Sequence, residues 1–309
     1  MPEIIAQKNV PFAKVFASCF DREIITIQVG NFADSESFVS FSDTQKLSDK
    51  NVFIIQQFLC DSISINDQIF KLLLLVDFVK KTGAKRIITV LPYLAYSRQD
   101  KTFKGKFAGA IELVGKLLKT SGVNDVVSFE LHAPEIKDIF AINLHEITMQ
   151  HFWADFIEKE FADKSFCLIS PDEGGIKRVE KIAKILEKDF GYIKKERVDV
   201  DDPRAYELVG EVKDKIVIVL DDILDTAKTA EGSCKLLLEK GAKEIFGCFT
   251  HPVLSSGALQ RVDKSALKKV FVTDTIPVGD KIEDSNKFQV LSVGDLLCGY
   301  VKKNFYARF

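Results

Sequence analysis

IVIVLDDILDTAKT, residues 216–229, is the stretch around which the rest of the chain can be read. Five consecutive aliphatic residues, Ile216 to Leu220, predict a strand buried on both faces, as in the middle of a parallel sheet. Asp221, Asp222 and Asp225 stand where that strand is expected to stop, and Thr226 and Thr229 precede an apolar helical pattern running to Gly241. A strand end, a tight turn and a helix N-terminus make an anion site, because the first N–H groups of a helix have no partner inside it. Paired carboxylates beside it suggest a sugar hydroxyl or a magnesium ion held near a phosphate. Two aspartates capping a helix and facing water is the other reading of the same residues.

Working outward, strand-like and helix-like segments alternate almost throughout the 309 residues, which predicts α/β architecture with mainly parallel sheets flanked by helices. Strands are expected near 24–29, 52–57, 86–91, 125–129, 166–170, 191–193, 216–220, 244–250 and 269–273, with helices between them. Asn66 is a candidate cap for the helix that ends before Gly83. The pattern breaks around 140–150 and then restarts, so two domains divided near residue 147 are expected, 1–147 and 148–295. The segment 296–309 can pack back onto the first of them or onto a neighbour.

Composition narrows the ligand class. With 46% hydrophobic and 28% charged residues and a formal net charge of -2, the chain has no global field for nucleic acid or membranes, so anion binding must be local. No run approaches the ~18 apolar residues of a membrane span, and a cytoplasmic protein is the expectation. The scattered cysteines Cys19, Cys60, Cys167, Cys234, Cys248 and Cys298 read as buried free thiols of a reducing compartment, in preference to disulfides or zinc ligands.

Other strand ends carry polar chemistry. NFADSES, 31–37, places Phe32, Asp34 and Glu36 together, either to hold a base edge or as an exposed acidic loop with one anchoring ring. PYLAYSRQDKTFKGK, 92–106, brings Arg98 and Gln99 out with several lysines: a nucleotide-phosphate grip or a solvated basic loop. His132 in FELHAPEI is a ligand candidate or a satisfied structural histidine. In ISPDEGGIKR, 169–178, Gly174 and Gly175 allow close backbone approach to an anion and Asp172 can hold magnesium, or the stretch is a glycine turn with a capping aspartate. IKKERVDVDDPRAYELVG, 193–210, is a long polar connection of the kind used as a lid, with Lys195 and Arg197 alternating along it.

In this order and spacing the stretches resemble the ribose-phosphate diphosphokinases (PRPP synthetases). Asn9, FADSE, VFIIQQ at 52–57, YSRQD at 96–100, ELHAPEI, SPDEGG, LVGEV at 208–212, DDILDT, FTHPVLSSGA at 249–258 and TDTIP at 273–277 carry the resemblance over nearly the whole chain. It implies two phosphoribosyltransferase-type domains, an ATP side at 1–147 and a ribose 5-phosphate side at 148–295, in a homo-oligomer with active sites at domain and subunit interfaces. It implies transfer of a diphosphoryl group from MgATP to the anomeric hydroxyl of ribose 5-phosphate, giving phosphoribosyl diphosphate and AMP. By the same resemblance Phe32, Asp34, Glu36, Arg98 and Gln99 bind ATP, and His132 and Asp172 sit at the Mg2+ and polyphosphate. Asp172, Gly174 and Gly175 form the diphosphate loop, and Asp221, Asp222, Asp225, Thr226, Ala227, Lys228 and Thr229 hold ribose 5-phosphate. Lys195 and Arg197 match the family's two lid cations.

The chain departs from the family in four places. Lys228 replaces a glycine of the phosphate loop, and Ser35 replaces the glycine of FxDGE. Ser48 stands in KLSDKN where an arginine of the phosphate- and ADP-sensing stretch is usual, and KKTG at 80–83 replaces a second part of it, so weak allostery is expected. Lys228 and Ser35 also keep open a catalytically weak, nucleotide-binding regulatory subunit. A plain phosphoribosyltransferase shares the acidic turn but lacks use for the Arg98 and Phe32 segments.

Overall fold

The computed structural model describes residues 2–7, 11–41, 47–58, 64–100, 109–196 and 205–305. They form two compact units: residues 1–147 with 275–277 and 292–309, and residues 148–274 with 278–291.

The first unit is a seven-stranded sheet of β1 (Glu3–Gln7), β2 (Ile24–Asn31), β3 (Ser37–Phe41), β4 (Asn51–Ile55), β5 (Arg86–Val90), β6 (Asp125–Phe129) and β7 (Asn143–Ile147), in the order β3-β2-β1-β4-β5-β6-β7. Its helices are α1 (Pro11–Ser18), α2 (Ile65–Lys81), α3 (Ala110–Ser121) and the single turn α4 (Ile136–Ile139). The second unit holds α5 (Gln150–Glu160), β8 (Phe166–Ser170), α6 (Ile176–Leu186), β9 (Phe190–Glu196), β10 (Ala205–Val209), β11 (Ile216–Leu224), α7 (Lys228–Glu239), β12 (Glu244–Pro252), α8 (Ala258–Lys264), β13 (Leu267–Thr273) and β14 (Phe288–Leu291). Its strand order, β10-β9-β8-β11-β12-β13-β14, repeats that of the first sheet. All pairings are parallel except the edge hairpins β2/β3 and β9/β10. The last helix, α9 (Gly294–Asn304), belongs to the first unit.

Both faces of the second sheet are covered, which is why its central strands are continuous aliphatic runs. Val217 and Val219 of β11 share one core with Cys234 and Leu237 of α7 and Val262 of α8. On α5, Phe156 meets Phe271 of β13 edge-on at 4.7 Å, and the Trp153 indole donates to Thr250 Oγ1 at 3.0 Å. In each sheet the first strand connects one way along the order and the fourth the other way. Right-handed crossovers then put the helices after β1 and β4, and those after β8 and β11, on opposite faces. The strands part at that point, and open α/β sheets bind ligands in the crevice left there.

Several sequence expectations need correction. The strand of the opening stretch does not stop at Leu220: β12 keeps pairing with it, Ile223 with His251 and Leu224 with Pro252, so Asp221 and Asp222 lie inside β11. On the other side the β8 pairing ends at Val219–Ile169, leaving an open strand edge at the acids. The strand expected at 191–193 runs from Phe190 to Glu196 and forms a hairpin with β10, so Lys195 is opposite Tyr206 on a strand and not in a long loop. Ser64, not Asn66, caps α2, its side chain accepting the Asn66 N–H at 3.1 Å. Five strands escaped the sequence reading: β3, β7, β10 and β14 are short, only partly buried edge segments, whereas β1 is central and its Ile4, Ile5 and Ala6 are buried.

Cys19 and Cys298 are not free thiols. They are joined in a disulfide that ties the end of α1 to α9. Cys167, Cys234 and Cys248 are free and buried, and burial pushes Cys167 up to about 11 and Cys234 to about 12. Thiols so far from ionisation at neutral pH are packing groups. Cys60 lies outside the described residues.

Candidate active site

In the second unit the segments after β8 and β11 meet at the crevice. Ser170, fully buried at the end of β8, donates its hydroxyl to the Asp172 carbonyl at 2.6 Å, and Asp172 Oδ1 accepts the Gly174 N–H at 3.0 Å. These bonds wind Glu173–Gly175 into a 3-10 turn that feeds α6, so the capping reading of Asp172 is realised. Gly175 must stay bare: a Cβ there would fall 2.5 Å from Ser170 Oγ and 3.7 Å from Asp221 Oδ1.

Arg178, in the first turn of α6, reaches both central acids, with Nη1 3.1 Å from Asp221 Oδ1 and Nη2 3.3 Å from Asp222 Oδ1. Asp221 Oδ1 also accepts the Asp222 N–H at 3.0 Å. Burial pushes the Asp221 carboxyl well above the usual carboxylate range, and the adjacent Asp222 charge pushes the same way while Arg178 opposes both.

Past β11, Asp225 and Thr226 are half-buried and Ala227 takes the left-handed conformation, φ 59°. Lys228 is the first residue of α7 and exposed, with ordinary negative φ, so the strained position is Ala227 and the side chain at 228 costs the loop nothing sterically. The helix N–H groups that follow are those a phosphate would use. Arg261 of α8 fixes this loop from behind, donating from Nη1 to the Thr226 carbonyl at 2.8 Å and to the Ser256 carbonyl at 3.3 Å. Lys195 is on β9, while Arg197 lies outside the described residues.

In the first unit the loops after β2, β5 and β6, which are parallel, leave the same edge of their sheet. Phe32 is 59% exposed, its ring 5.1 Å from Phe38, with Asp34 and Glu36 exposed beside it. Asp34 Oδ1 accepts the Glu36 N–H at 3.0 Å, and Ser35 has φ 73°, which is why a glycine suits that position better. Asn31 holds the loop by donating to the Ser35 carbonyl at 2.8 Å, and the buried Lys71 donates to Asn31 at 2.6 Å. Arg98 and Gln99 are exposed after a turn in which Tyr96 has φ 67° and donates its hydroxyl to Asn66. His132 is exposed just beyond β6. A cavity of about 880 Å³ lined by Lys119, Lys137 and His145 opens at the starts of β6 and β7, the opposite sheet edge from these loops, and takes no part in this site.

Residues 4–122 match the N-terminal domain of ribose phosphate pyrophosphokinase, and residues 193–308 match the phosphoribosyl synthetase-associated domain. The ribose-phosphate pyrophosphokinase of Fusobacterium nucleatum subsp. nucleatum is 33% identical over 296 residues, 96% of this chain and 92% of the relative. Ribose-phosphate pyrophosphokinase A of Dictyostelium discoideum is 32% identical over 91% of this chain and 87% of its own length. The chain belongs to the ribose-phosphate pyrophosphokinase family. The crystal structure of phosphoribosylpyrophosphate synthetase from Mycobacterium smegmatis superposes with a TM-score of 0.90 at 31% identity, covering 99% of both chains. Membership makes the chain a transferase, with two mainly parallel sheets as its scaffold.

Within this family frame, sequence reading missed Arg178, Arg261 and Lys71. Arg178 is visible in ISPDEGGIKR only as one basic residue of a helix, and its fork onto Asp221 and Asp222 depends on the switch-point packing of two strands that are distant in sequence. Arg261 and Lys71 carry no sequence signal at all.

Proposed function

We propose that this chain transfers the diphosphoryl group of MgATP to the anomeric hydroxyl of ribose 5-phosphate, giving phosphoribosyl diphosphate and AMP. The observation that carries the reading is the acid pair Asp221–Asp222 in the open edge of β11, followed at once by the N-terminus of α7. Carboxylates accept sugar hydroxyls, and the helix end accepts a phosphate.

Asp221 and Asp222 take the ribose hydroxyls as acceptors. Asp225, Thr226, Ala227, Lys228 and Thr229 wrap the 5-phosphate, and Gly174 and Gly175 with Asp172 receive the diphosphate. Phe32 packs on the base, Asp34 and Glu36 accept from its edge, and Arg98 and Gln99 bind the ATP phosphates. Magnesium prefers oxygen ligands and commonly takes one or two carboxylates plus substrate phosphates, which the Asp172 carboxylate fits. When bound, the ion supplies neutralisation of charge on the transferred group. Lys195 and Arg197 supply positive charge that stabilises the charge developing in transfer.

Regulation by phosphate or ADP is weak in this reading. KLSDKN and KKTG do meet, Asp49 N–H bonding the Gly83 carbonyl at 2.9 Å, but Ser48 brings no guanidinium to an oxyanion there. Cytoplasmic residence and homo-oligomeric assembly belong to the proposal. No helix among the described residues is long and apolar enough to cross a membrane.

The decisive experiment is AMP formation by purified protein from ATP and Mg2+, with and without ribose 5-phosphate. Ribose-dependent AMP is expected. Its absence from the wild type together with its appearance in Lys228→Gly would instead mark a disabled, regulatory relative.

A further inference from the structure

We infer that Arg178 is a positioning residue of the sugar-phosphate site, its guanidinium bridging Asp221 and Asp222 and fixing which of their oxygens are presented to the ribose. The role rests on the reaction proposed above. Three observations carry it.

Successive residues of a strand point to opposite faces, so two neighbouring acids are not expected to share a partner. One guanidinium nevertheless reaches both, Nη1 to Asp221 Oδ1 at 3.1 Å and Nη2 to Asp222 Oδ1 at 3.3 Å. It does so where β11 has lost its β8 neighbour, at the open strand edge. Among the described residues the hydrogen bonds of Asp221 from Arg178 and from the Asp222 N–H both fall on Oδ1, which fixes the carboxyl plane and leaves Oδ2 to accept a further donor.

Gly175 lies one turn ahead of the arginine, and a Cβ there would sit in ordinary contact with Arg178 Nη1, at 3.4 Å. The Arg178 side chain is only 13% exposed, so its charge is held by the acids and is not a surface feature. The groups facing Asp221 are Asp222 of its own strand, Arg178 of α6 and the Asp172 charge of the loop after β8. Arg178 is the one cation among these three, and without it the set is wholly acidic.

The first unit supplies an internal control. Counting from the start of each strand, Gln56 and Gln57 stand beyond β4 where Asp221 and Asp222 stand in β11. Counting from the start of each helix, the third residue of α1 is Ala13, fully buried, and the third residue of α6 is Arg178. Where the acids are amides, the cation is a methyl group. A guanidinium fork spans two carboxylates, and an ammonium, a point donor, cannot replace it.

The test is steady-state AMP formation by wild type, Arg178→Gln and Arg178→Lys, with KM measured separately for ribose 5-phosphate and MgATP. In both variants KM for ribose 5-phosphate is expected to rise roughly tenfold or more and kcat to fall, with KM for MgATP unchanged. A purely structural role would lower the active fraction, reducing kcat while leaving both KM values alone, and would overturn the inference. Full rescue by lysine would overturn it too. If Arg178→Gln does not fold, Arg178→Lys carries the same expectation. Absence of ribose-dependent AMP from wild type would overturn the reaction and this role together, whereas wild-type activity with an unmoved ribose 5-phosphate KM overturns the role alone.

Discussion

In the first unit the strand beyond the switch point runs into two buried amides, Gln56 and Gln57; in the second, β11 reaches the same place with Asp221 and Asp222. The two sheets share strand order, edge hairpin and crossover direction. What differs is the charge placed at the crevice and the groups recruited to manage it. Gln56 Nε2 donates to the Gln57 carbonyl at 2.9 Å, while the acids draw Arg178 from α6. The wiring therefore supplies the crevice, and the side chains at two strand positions decide what it can hold.

The sharpest way to break this comparison is to neutralise one acid. Asp222→Asn is expected to lower kcat/KM for ribose 5-phosphate by about a hundredfold or more, because a buried acceptor of charge-assisted hydrogen bonds is lost. The matching change in the first unit, Gln57→Ala, should leave that constant nearly alone and cost about 1–2 kcal/mol of stability in a denaturant titration. Equal kinetic effects from the two would show that the halves do not differ in role.

A second contrast lies in what pins each unit. Asp125 is buried at the start of β6, with Arg86 Nε at 2.8 Å, Arg86 Nη2 at 2.7 Å and His145 Nε2 at 3.0 Å. Burial alone would raise its carboxyl, but the His145 and Arg86 hydrogen bonds outweigh that and hold it below the usual range. A depressed folded-state value means stability that is present above the unfolded aspartate's pKa, about 3.9, and lost as pH falls through the folded value. Asp125→Asn should cost about 3 kcal/mol at neutral pH, since Arg86 then loses its buried partner, and should flatten the acid limb of the stability curve. An unchanged acid limb would show that other carboxylates set it.

The disulfide is a further asymmetry, since the described cysteines of the second unit are all free. Joining residues 279 apart constrains the unfolded chain strongly, so Cys298→Ser is expected to cost about 2–3 kcal/mol under oxidising conditions and nothing after reduction. Loss of equal size in both conditions would assign the effect to packing of α9.

How much of this was legible before the structure depends on range. The aliphatic run Ile216–Leu220 with its acids is local, and both the strand and the chemistry could be read from it. The glycine turn after Asp172 was equally local, though the close approach of Ser170 to Gly175 depends on the fold. The Cys19–Cys298 bond was read wrongly because neither cysteine has a patterned neighbour and the contact depends on α9 returning to the first unit. The hairpin at β9/β10 was missed because polar edge strands lack the apolar alternation that marks half-buried ones, and the Lys71–Asn31 contact because it links residues 40 apart on unrelated elements.

The smallest expected effect concerns the family departure that the sequence made most conspicuous. Lys228 has the outward, exposed start of α7, while the left-handed residue is Ala227. A cation at a helix N-terminus is disfavoured by a few tenths of a kcal/mol, and glycine there gives up a similar amount in helix propensity, so Lys228→Gly should leave stability nearly unchanged. Ala227→Gly relieves about 1 kcal/mol of left-handed strain but frees the unfolded chain by almost as much, and should also come out close to neutral. The informative number is KM for ribose 5-phosphate in Lys228→Gly, expected within about threefold of wild type because helix N–H groups, not the ammonium, carry the phosphate. A tenfold rise would mean that the lysine folds over the phosphate on binding, and the second unit's crevice would then owe its anion affinity to a side chain as well as to its wiring.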